Sequence, residues 1–200
     1  MAKSQDTVSP APPTRYEYRV WGRQKKARQI LARLAPDSTD ERVKDCYLIG
    51  DDSSWNVKVR NNRLKVKQLV AEDQGFERWS SDRPRSAKAT PSPFDELFEQ
   101  LRLDRPQRGK SYDLRKAVLR LGPESATRAV FVVKHRRRHT IGGLRAEATD
   151  IKIIETDEVL HTLAIEGDDL DELVALREKL GLSETLNTAV HEAIDPTFDE

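Results

Sequence analysis

The sequence lacks the features that would place it outside the reducing, aqueous interior of a cell. Cys46 is the only cysteine among 200 residues, which excludes an intramolecular disulfide. No apolar run is long enough to span a membrane, and the first residues lack the apolar core of a signal peptide. We therefore expect a cytoplasmic protein in which Cys46 is a buried structural thiol.

An overall excess of basic charge is also missing. The chain has 35 Lys and Arg against 34 Asp and Glu, for a net charge of +1, which argues against a protein that coats nucleic acid through its total charge. At 36% hydrophobic residues the chain can form one domain core. We predict a disordered N-terminal tail over 1–14, one domain over 15–194 and an acidic C-terminal tail over 195–200.

The basic residues that are present concentrate in strands of alternating pattern. In segment 55–60, Val57 and Val59 share one face and Lys58 and Arg60 the other, and segment 63–67 alternates in the same way. Asn61-Asn62 suits a two-residue hairpin turn between them. Such a hairpin places like charges directly opposite each other, which costs stability in a bare sheet. We therefore expect an anion to compensate these charges.

A second basic strand follows late in the chain, at 129–138. Its residues Lys134, Arg136 and Arg138 share a face. A Lys-x-Arg pattern that recurs in separate hairpins predicts one basic surface assembled by a closed or half-closed barrel.

Periodicity and turn residues predict the remaining elements. The predicted strands are 15–21, 45–50, 144–154 and 161–166, and the predicted helices are 23–35, 94–103, 168–180 and 184–194. Segment 83–93, rich in proline, is predicted to be an exposed loop. Segment 112–121 suits either a helix or an edge strand, and this alternative stays open.

The order of these motifs resembles the CYTH family, also called triphosphate tunnel metalloenzymes. Arg15-x-Glu17-x-Arg19 stands at the family's opening motif, followed by Lys58-x-Arg60, Lys65-x-Lys67, Lys134-x-Arg136 and Ala164-x-Glu166, and then by a helix with Gly181-Leu182 at its end. The resemblance implies an α+β fold: an antiparallel β-barrel of about eight strands with peripheral helices, enclosing a charged tunnel.

The resemblance also implies which residues hold the ligand. It assigns phosphate binding to Arg19, Lys58, Arg60, Lys65, Lys67, Lys134 and Arg136, and a divalent metal, Mg²⁺ or Mn²⁺, to Glu17 and Glu166. The chain departs from the family on its acidic side, because Arg15 and Ala164 replace two glutamates. Glu147 or Asp150 could supply a third carboxylate. An alternative role for Glu17 is a salt bridge to its neighbours.

The function expected on this basis is binding of a triphosphate or polyphosphate in a basic tunnel, with slow or absent metal-dependent hydrolysis. No catalytic residue is identified, so the enzyme and the non-catalytic binding module both remain open. A third alternative is an RNA-binding module that uses the cluster Arg136-Arg137-Arg138, although no recognised RNA-binding motif is present.

Overall fold

The computed structural model describes residues 13–50, 52–61, 63–81 and 128–194. The eight strands are β1 Thr14–Trp21, β2 Ser38–Ile49, β3 Trp55–Arg60, β4 Arg63–Asp73, β5 Phe76–Ser81, β6 Arg128–Ile141, β7 Leu144–Ile153 and β8 Val159–Gly167. Within these residues the helices are α1 Lys25–Leu34, α2 Leu170–Lys179 and α3 Val190–Ala193. All neighbouring strands pair antiparallel and close into a barrel in the order β1-β5-β4-β3-β2-β6-β7-β8. The predicted barrel is therefore confirmed.

The main apolar core lies outside the barrel wall. Alternation along β1 turns Tyr18 and Val20 outward, where they pack with Leu31 of α1 and with Leu173 and Leu176 of α2. Helix α2 begins at Asp169, whose side chain accepts a hydrogen bond from the backbone N–H of Glu172 at 3.0 Å. Helices α1 and α2 bury the outward apolar residues of this part of the wall. Many of the inward-facing side chains are polar. We call the space that they line the lumen.

Helix α3 packs against inward-facing apolar residues at one end of the lumen. Its Val190 and its C-terminal neighbour Ile194 form a cluster with Tyr47, Val132 and Ile151. In the same helix, His191 Nε2 donates a hydrogen bond to the carbonyl of Ser53 at 2.9 Å, and the imidazole meets the ring of Trp79 edge-on at 5.9 Å. These contacts fix α3 against the barrel.

The C-terminal helix predicted over 184–194 is wrong in extent, because only Val190–Ala193 is helical. The preceding residues form hydrogen bonds to β1 instead. Asn187 Oδ1 accepts from the backbone N–H of Arg19 at 2.7 Å, and the Thr188 N–H donates to the Arg19 carbonyl at 3.1 Å. Tertiary hydrogen bonds override the local helical pattern here.

One strand was not predicted, and another begins earlier than predicted. Strand β5 was not predicted; it follows a turn in which Gln74 and Gly75 both have positive φ, at 50° and 80°. Strand β2 begins at Ser38 instead of at residue 45, because its charged first half pairs along β6 from Ser38 opposite His139. The predicted hairpin pairs Arg60 with Arg63 in register, and Asn61 of its turn has a φ of 52°. A second turn, with a φ of 58° at Gly142, joins β6 to β7.

The predicted buried thiol is confirmed, because Cys46 is a free, buried cysteine. Its burial raises the pKa of the thiol to about 12. Several other predictions lie outside the described residues: most of the tail over 1–14, the loop 83–93, the helix 94–103, the open segment 112–121 and the tail 195–200. In the part of the chain that is described, no helix has the length and apolar character needed to cross a membrane.

Candidate anion-binding site

Two lysines from different strands meet at one tyrosine inside the barrel. Tyr47 of β2 is fully buried and lies opposite Lys58 of β3. Lys134 Nζ of β6 donates a hydrogen bond to the Tyr47 hydroxyl at 2.5 Å, and Lys58 Nζ lies 3.5 Å from the same oxygen. Both ammonium groups also approach the Tyr47 ring, at 4.7 and 5.3 Å from its centroid. We call Lys58 and Lys134 the lysine pair.

The carboxylate nearest to the lysine pair is already neutralised by an arginine. Asp45 of β2 faces Arg60 of β3 in register, and the two form a bidentate salt bridge with distances of 2.6 and 2.5 Å. Lys134 Nζ lies 3.8 Å from Asp45 Oδ2. Burial alone would raise the pKa of Asp45, but the hydrogen bonds from Arg60 and the charges of the lysine pair lower it. Asp45 is therefore a carboxylate shared among three cations.

The lysine pair is left with too little negative charge around it. In the residues that the structure describes, no carboxylate comes within 4 Å of Lys58 Nζ. Burial, with repulsion from Lys67, lowers the pKa of Lys58 to about 7. Burial and the charge of Lys58 also lower the pKa of Lys134. The positively charged form of both amines is therefore disfavoured, and a bound anion would stabilise both charges.

Glu17 is held by two cations. Its Oε1 accepts from Arg19 at 3.0 and 3.3 Å, and its Oε2 accepts from Lys67 of β4 at 2.9 Å. Burial opposes ionisation, but Lys67 and Arg19 together hold the pKa of Glu17 well below its usual range. In this structure Glu17 therefore makes the salt bridge considered as the alternative to metal binding.

Arg136 lies farther along β6 on the same inward face. It forms salt bridges with Glu41 at 2.6 Å and with Glu147 at 3.2 Å. Its Nε is buried without a hydrogen-bond partner in the described structure. Of the two carboxylates considered as a third acid, Glu147 is the one that faces the lumen. Asp150 lies on the outer face, beside Arg28 and His161.

Two of the predicted site residues stand apart from the buried cluster. Lys65 is directly opposite Lys58 in register and thus on the inward face, but its side chain is exposed. Glu166 is partly exposed and pairs with Arg145 at 3.3 Å. Four different strands bring the remaining predicted phosphate ligands to the lumen: Arg19, Lys58, Arg60, Lys67, Lys134 and Arg136.

A row of three glutamates crosses the sheet at the level of Glu17, which lies opposite Glu166 of β8 and Glu77 of β5. Burial and the nearby Glu17 raise the pKa of Glu77 to about 7. Within the described ranges, no three His, Cys, Asp or Glu side chains are placed to hold a metal ion. Because both Glu17 oxygens are engaged by cations, the residues present do not fit a preformed Mg²⁺ or Mn²⁺ site.

Sequence reasoning missed Asp45, Tyr47 and Glu77 as lumen residues. A signal existed for the first two, since Asp45 and Tyr47 alternate with the apolar Cys46 and Leu48 in a predicted strand. A lone acid on the polar face of such a strand predicts a buried partner. Its identity, Arg60, follows only from the hairpin register.

Comparison with known proteins gives a match at the level of three-dimensional structure only. No family model matches the chain, and no curated protein matches it. A conserved hypothetical protein from Pyrococcus furiosus superposes with a TM-score of 0.51 at 14% identity, over 90% of this chain and 99% of that one. The chain has the triphosphate tunnel fold. The PH1012 protein of Pyrococcus horikoshii OT3 gives a TM-score of 0.50 at 15% identity, over 90% of this chain and 99% of that one.

A candidate adenylate cyclase from Bacillus halodurans shares the same tunnel fold. Its TM-score is 0.50 at 10% identity, over 89% of this chain and 95% of that one. These likenesses confirm, for the fold, the resemblance to the CYTH family that the order of motifs predicted. At identities of 10–15% they establish the architecture and leave the ligand to be argued from the lumen.

Proposed function

We propose that the lumen of this barrel binds a triphosphate or a linear polyphosphate. The observation that carries the proposal is the lysine pair, in which two amines approach one phenol oxygen while the nearest carboxylate is held by Arg60. A phosphate beside Lys58 and Lys134 would supply the missing negative charge. Charge-assisted hydrogen bonds of this kind contribute about 1.5–3 kcal/mol each.

The spread of the cations along the lumen favours a chain of phosphates over a single one. Lys67 and Arg19 gather at Glu17, the lysine pair at Tyr47, and Arg136 at Glu147. Arg136 also keeps one N–H donor without a partner in the described structure. A ligand with phosphoryl groups at several positions can engage more than one of these groups at once, whereas a monophosphate can engage only one.

We further propose that binding is largely independent of divalent metal and that hydrolysis is slow or absent. The metal in a triphosphatase needs carboxylate oxygens beside the phosphate. Here Glu17 already gives one oxygen to Arg19 and the other to Lys67. A metal ion at Glu17 would have to displace both cations, so Arg19 and Lys67 are better placed to act on phosphate directly.

Calorimetric titration tests the proposal. Tripolyphosphate, pyrophosphate and orthophosphate are titrated in EDTA and again in Mg²⁺ or Mn²⁺, with Lys58→Met compared against Lys44→Met, an exposed lysine on the outer face of β2. We expect affinity to fall in the order tripolyphosphate, pyrophosphate, orthophosphate, with little effect of metal. Of the two variants, only Lys58→Met should bind more weakly. Equal affinity for all three anions, or equal effects of the two substitutions, would contradict a lumen site.

Turnover separates the binding module from the enzyme. A phosphate-release assay on tripolyphosphate and ATP, with Mg²⁺ and Mn²⁺, compares the wild type with Glu17→Gln and Glu166→Gln. We expect little release in any sample. Fast metal-dependent release that either substitution abolishes would show that the carboxylates are catalytic and would overturn this part of the proposal.

The RNA-binding alternative uses three consecutive arginines, and these side chains lie on two faces of β6 instead of forming one surface. Arg136 and Arg138 face the lumen side with Glu41 and Glu147, whereas Arg137 points to the outer face and pairs with Asp40 at 3.0 Å. In the titration, RNA that binds with steep salt dependence and is not displaced by tripolyphosphate would favour that alternative.

A further inference from the structure

Lys58 has a chemical capacity that phosphate binding does not use. Its amine lies 3.5 Å from the Tyr47 hydroxyl, and Lys134 donates a hydrogen bond to the same oxygen. Lys58 is half-buried, whereas Lys134 is only 4% exposed. The amine of the pair that a ligand entering the lumen can reach is therefore that of Lys58.

We propose that Lys58 is a nucleophilic amine that forms an imine with a carbonyl compound carrying phosphate. The ligand class rests on the proposed function, because the phosphate of such an aldehyde or ketone would be held by the lumen cations. A buried lysine beside another cationic group is the usual setting of an imine-forming lysine. The phenol between the two amines provides a group that can pass a proton between them.

Charged groups of both signs surround Lys58, but the balance with burial favours the neutral amine. Lys67 and Arg60 oppose its protonation, whereas Asp45 and Glu17 favour it. His191 lies within electrostatic reach, and Tyr47 stays protonated because burial raises its pKa. Burial is the largest contribution and lowers the pKa of Lys58 to about 7. A sizeable fraction of Lys58 is thus nucleophilic at neutral pH, unlike an ordinary surface lysine.

The covalent step balances without any co-reactant. The lone pair of the neutral Lys58 nitrogen attacks the carbonyl carbon, so a C–N bond forms as the C=O π bond breaks. A proton moves from the nitrogen to the oxygen to give a carbinolamine, with Tyr47 placed to relay it. Loss of water then forms the C=N bond, so that amine and carbonyl give imine and water with no net oxidation or reduction.

Reductive trapping tests the inference. The full chain is treated with a small amount of pyridoxal 5′-phosphate and cyanoborohydride, which adds hydride to an imine, and the labelled lysines are identified by peptide mass spectrometry. We expect Lys58 to carry at least about tenfold more label than the exposed Lys44 and Lys65, with a rate that levels off just above pH 7. Tripolyphosphate should protect Lys58, and Lys58→Arg should remove the label.

The controls separate this inference from the proposed function. Label spread over the exposed lysines, or an unlabelled Lys58 in a protein that still binds tripolyphosphate in calorimetry, would overturn the nucleophilic amine alone. Pyridoxal without phosphate should label Lys58 more slowly. If it labels Lys58 equally well and tripolyphosphate gives no protection, the phosphate-bearing ligand class is wrong and the proposed function falls with it. Circular dichroism of Lys58→Arg checks that loss of label is not loss of fold.

Discussion

Replacing Lys58 by methionine should stabilise the ligand-free protein, although it removes a charged residue from the proposed binding site. Folding lowers the pKa of Lys58 from 10.5 to about 7, and one pKa unit corresponds to 1.36 kcal/mol. The full free-energy cost of keeping this lysine protonated in the folded state is therefore about 5 kcal/mol below pH 7. Because the half-buried side chain retains some contact with water, we expect about 2–4 kcal/mol of this to be recovered in Lys58→Met.

The pH dependence gives the sign of the effect. Between about pH 7 and pH 10 the unfolded state binds more protons at Lys58 than the folded state does, so wild-type stability rises with pH relative to the variant. The advantage of Lys58→Met should be largest at and below about pH 7 and nearly vanish as the pH approaches the unfolded pKa of 10.5.

Urea unfolding at a series of pH values measures this difference directly. The matched control is Lys44→Met on the outer face, where we expect a change within about 0.5 kcal/mol at every pH. The reasoning is refuted if Lys58→Met is less stable than the wild type at pH 7. Parallel pH profiles of the unfolding free energy for the wild type and Lys58→Met would refute it as well, because they would mean that Lys58 carries its charge without penalty.

Three other outcomes follow from the same contacts. Arg136→Ala should weaken tripolyphosphate binding by about 1.5–3 kcal/mol, because a charged donor is lost; unchanged affinity in calorimetry would place the phosphate elsewhere. Glu17→Gln should lower the unfolding free energy by about 3–5 kcal/mol, since Arg19 and Lys67 lose their shared buried carboxylate; a neutral result in urea unfolding would show that these cations are paired some other way. EDTA should leave tripolyphosphate affinity within about twofold of its value in Mg²⁺, and a loss beyond tenfold would restore the metal role of Glu17.

The strand pattern made much of the basic lining of the lumen predictable. Lys58 and Arg60 alternate with valines, and Lys134 and Arg136 repeat the spacing, so local periodicity alone assigns each pair to one face. What periodicity could not supply was the partner of each cation. Arg60 finds Asp45 through hairpin register, and Lys67 finds Glu17 across strands that are fifty positions apart in sequence. These contacts arise only when the barrel closes.

The same limit explains the errors at the edges of elements. Segment 184–189 has a helical pattern, but its polar groups form hydrogen bonds with the backbone of Arg19 in β1. The short β5 contains Phe76, which packs in the outer core, and Trp79, which packs on His191. Its alternation is too brief to stand out in a polar stretch of sequence. Long-range packing, not local propensity, determines both segments.

The central claim is that an anion in the lumen recharges the lysine pair, and proton uptake on binding tests it most directly. Tripolyphosphate is titrated at about pH 8 in two buffers of different ionisation enthalpy, with the wild type compared against Lys58→Arg, whose side chain keeps its charge at every relevant pH. Because the ligand's own protonation is common to both proteins, the difference reports Lys58. We predict that the wild type takes up close to one more proton per bound ligand than Lys58→Arg. Equal proton uptake in the two proteins would contradict the claim that phosphate binds beside Lys58.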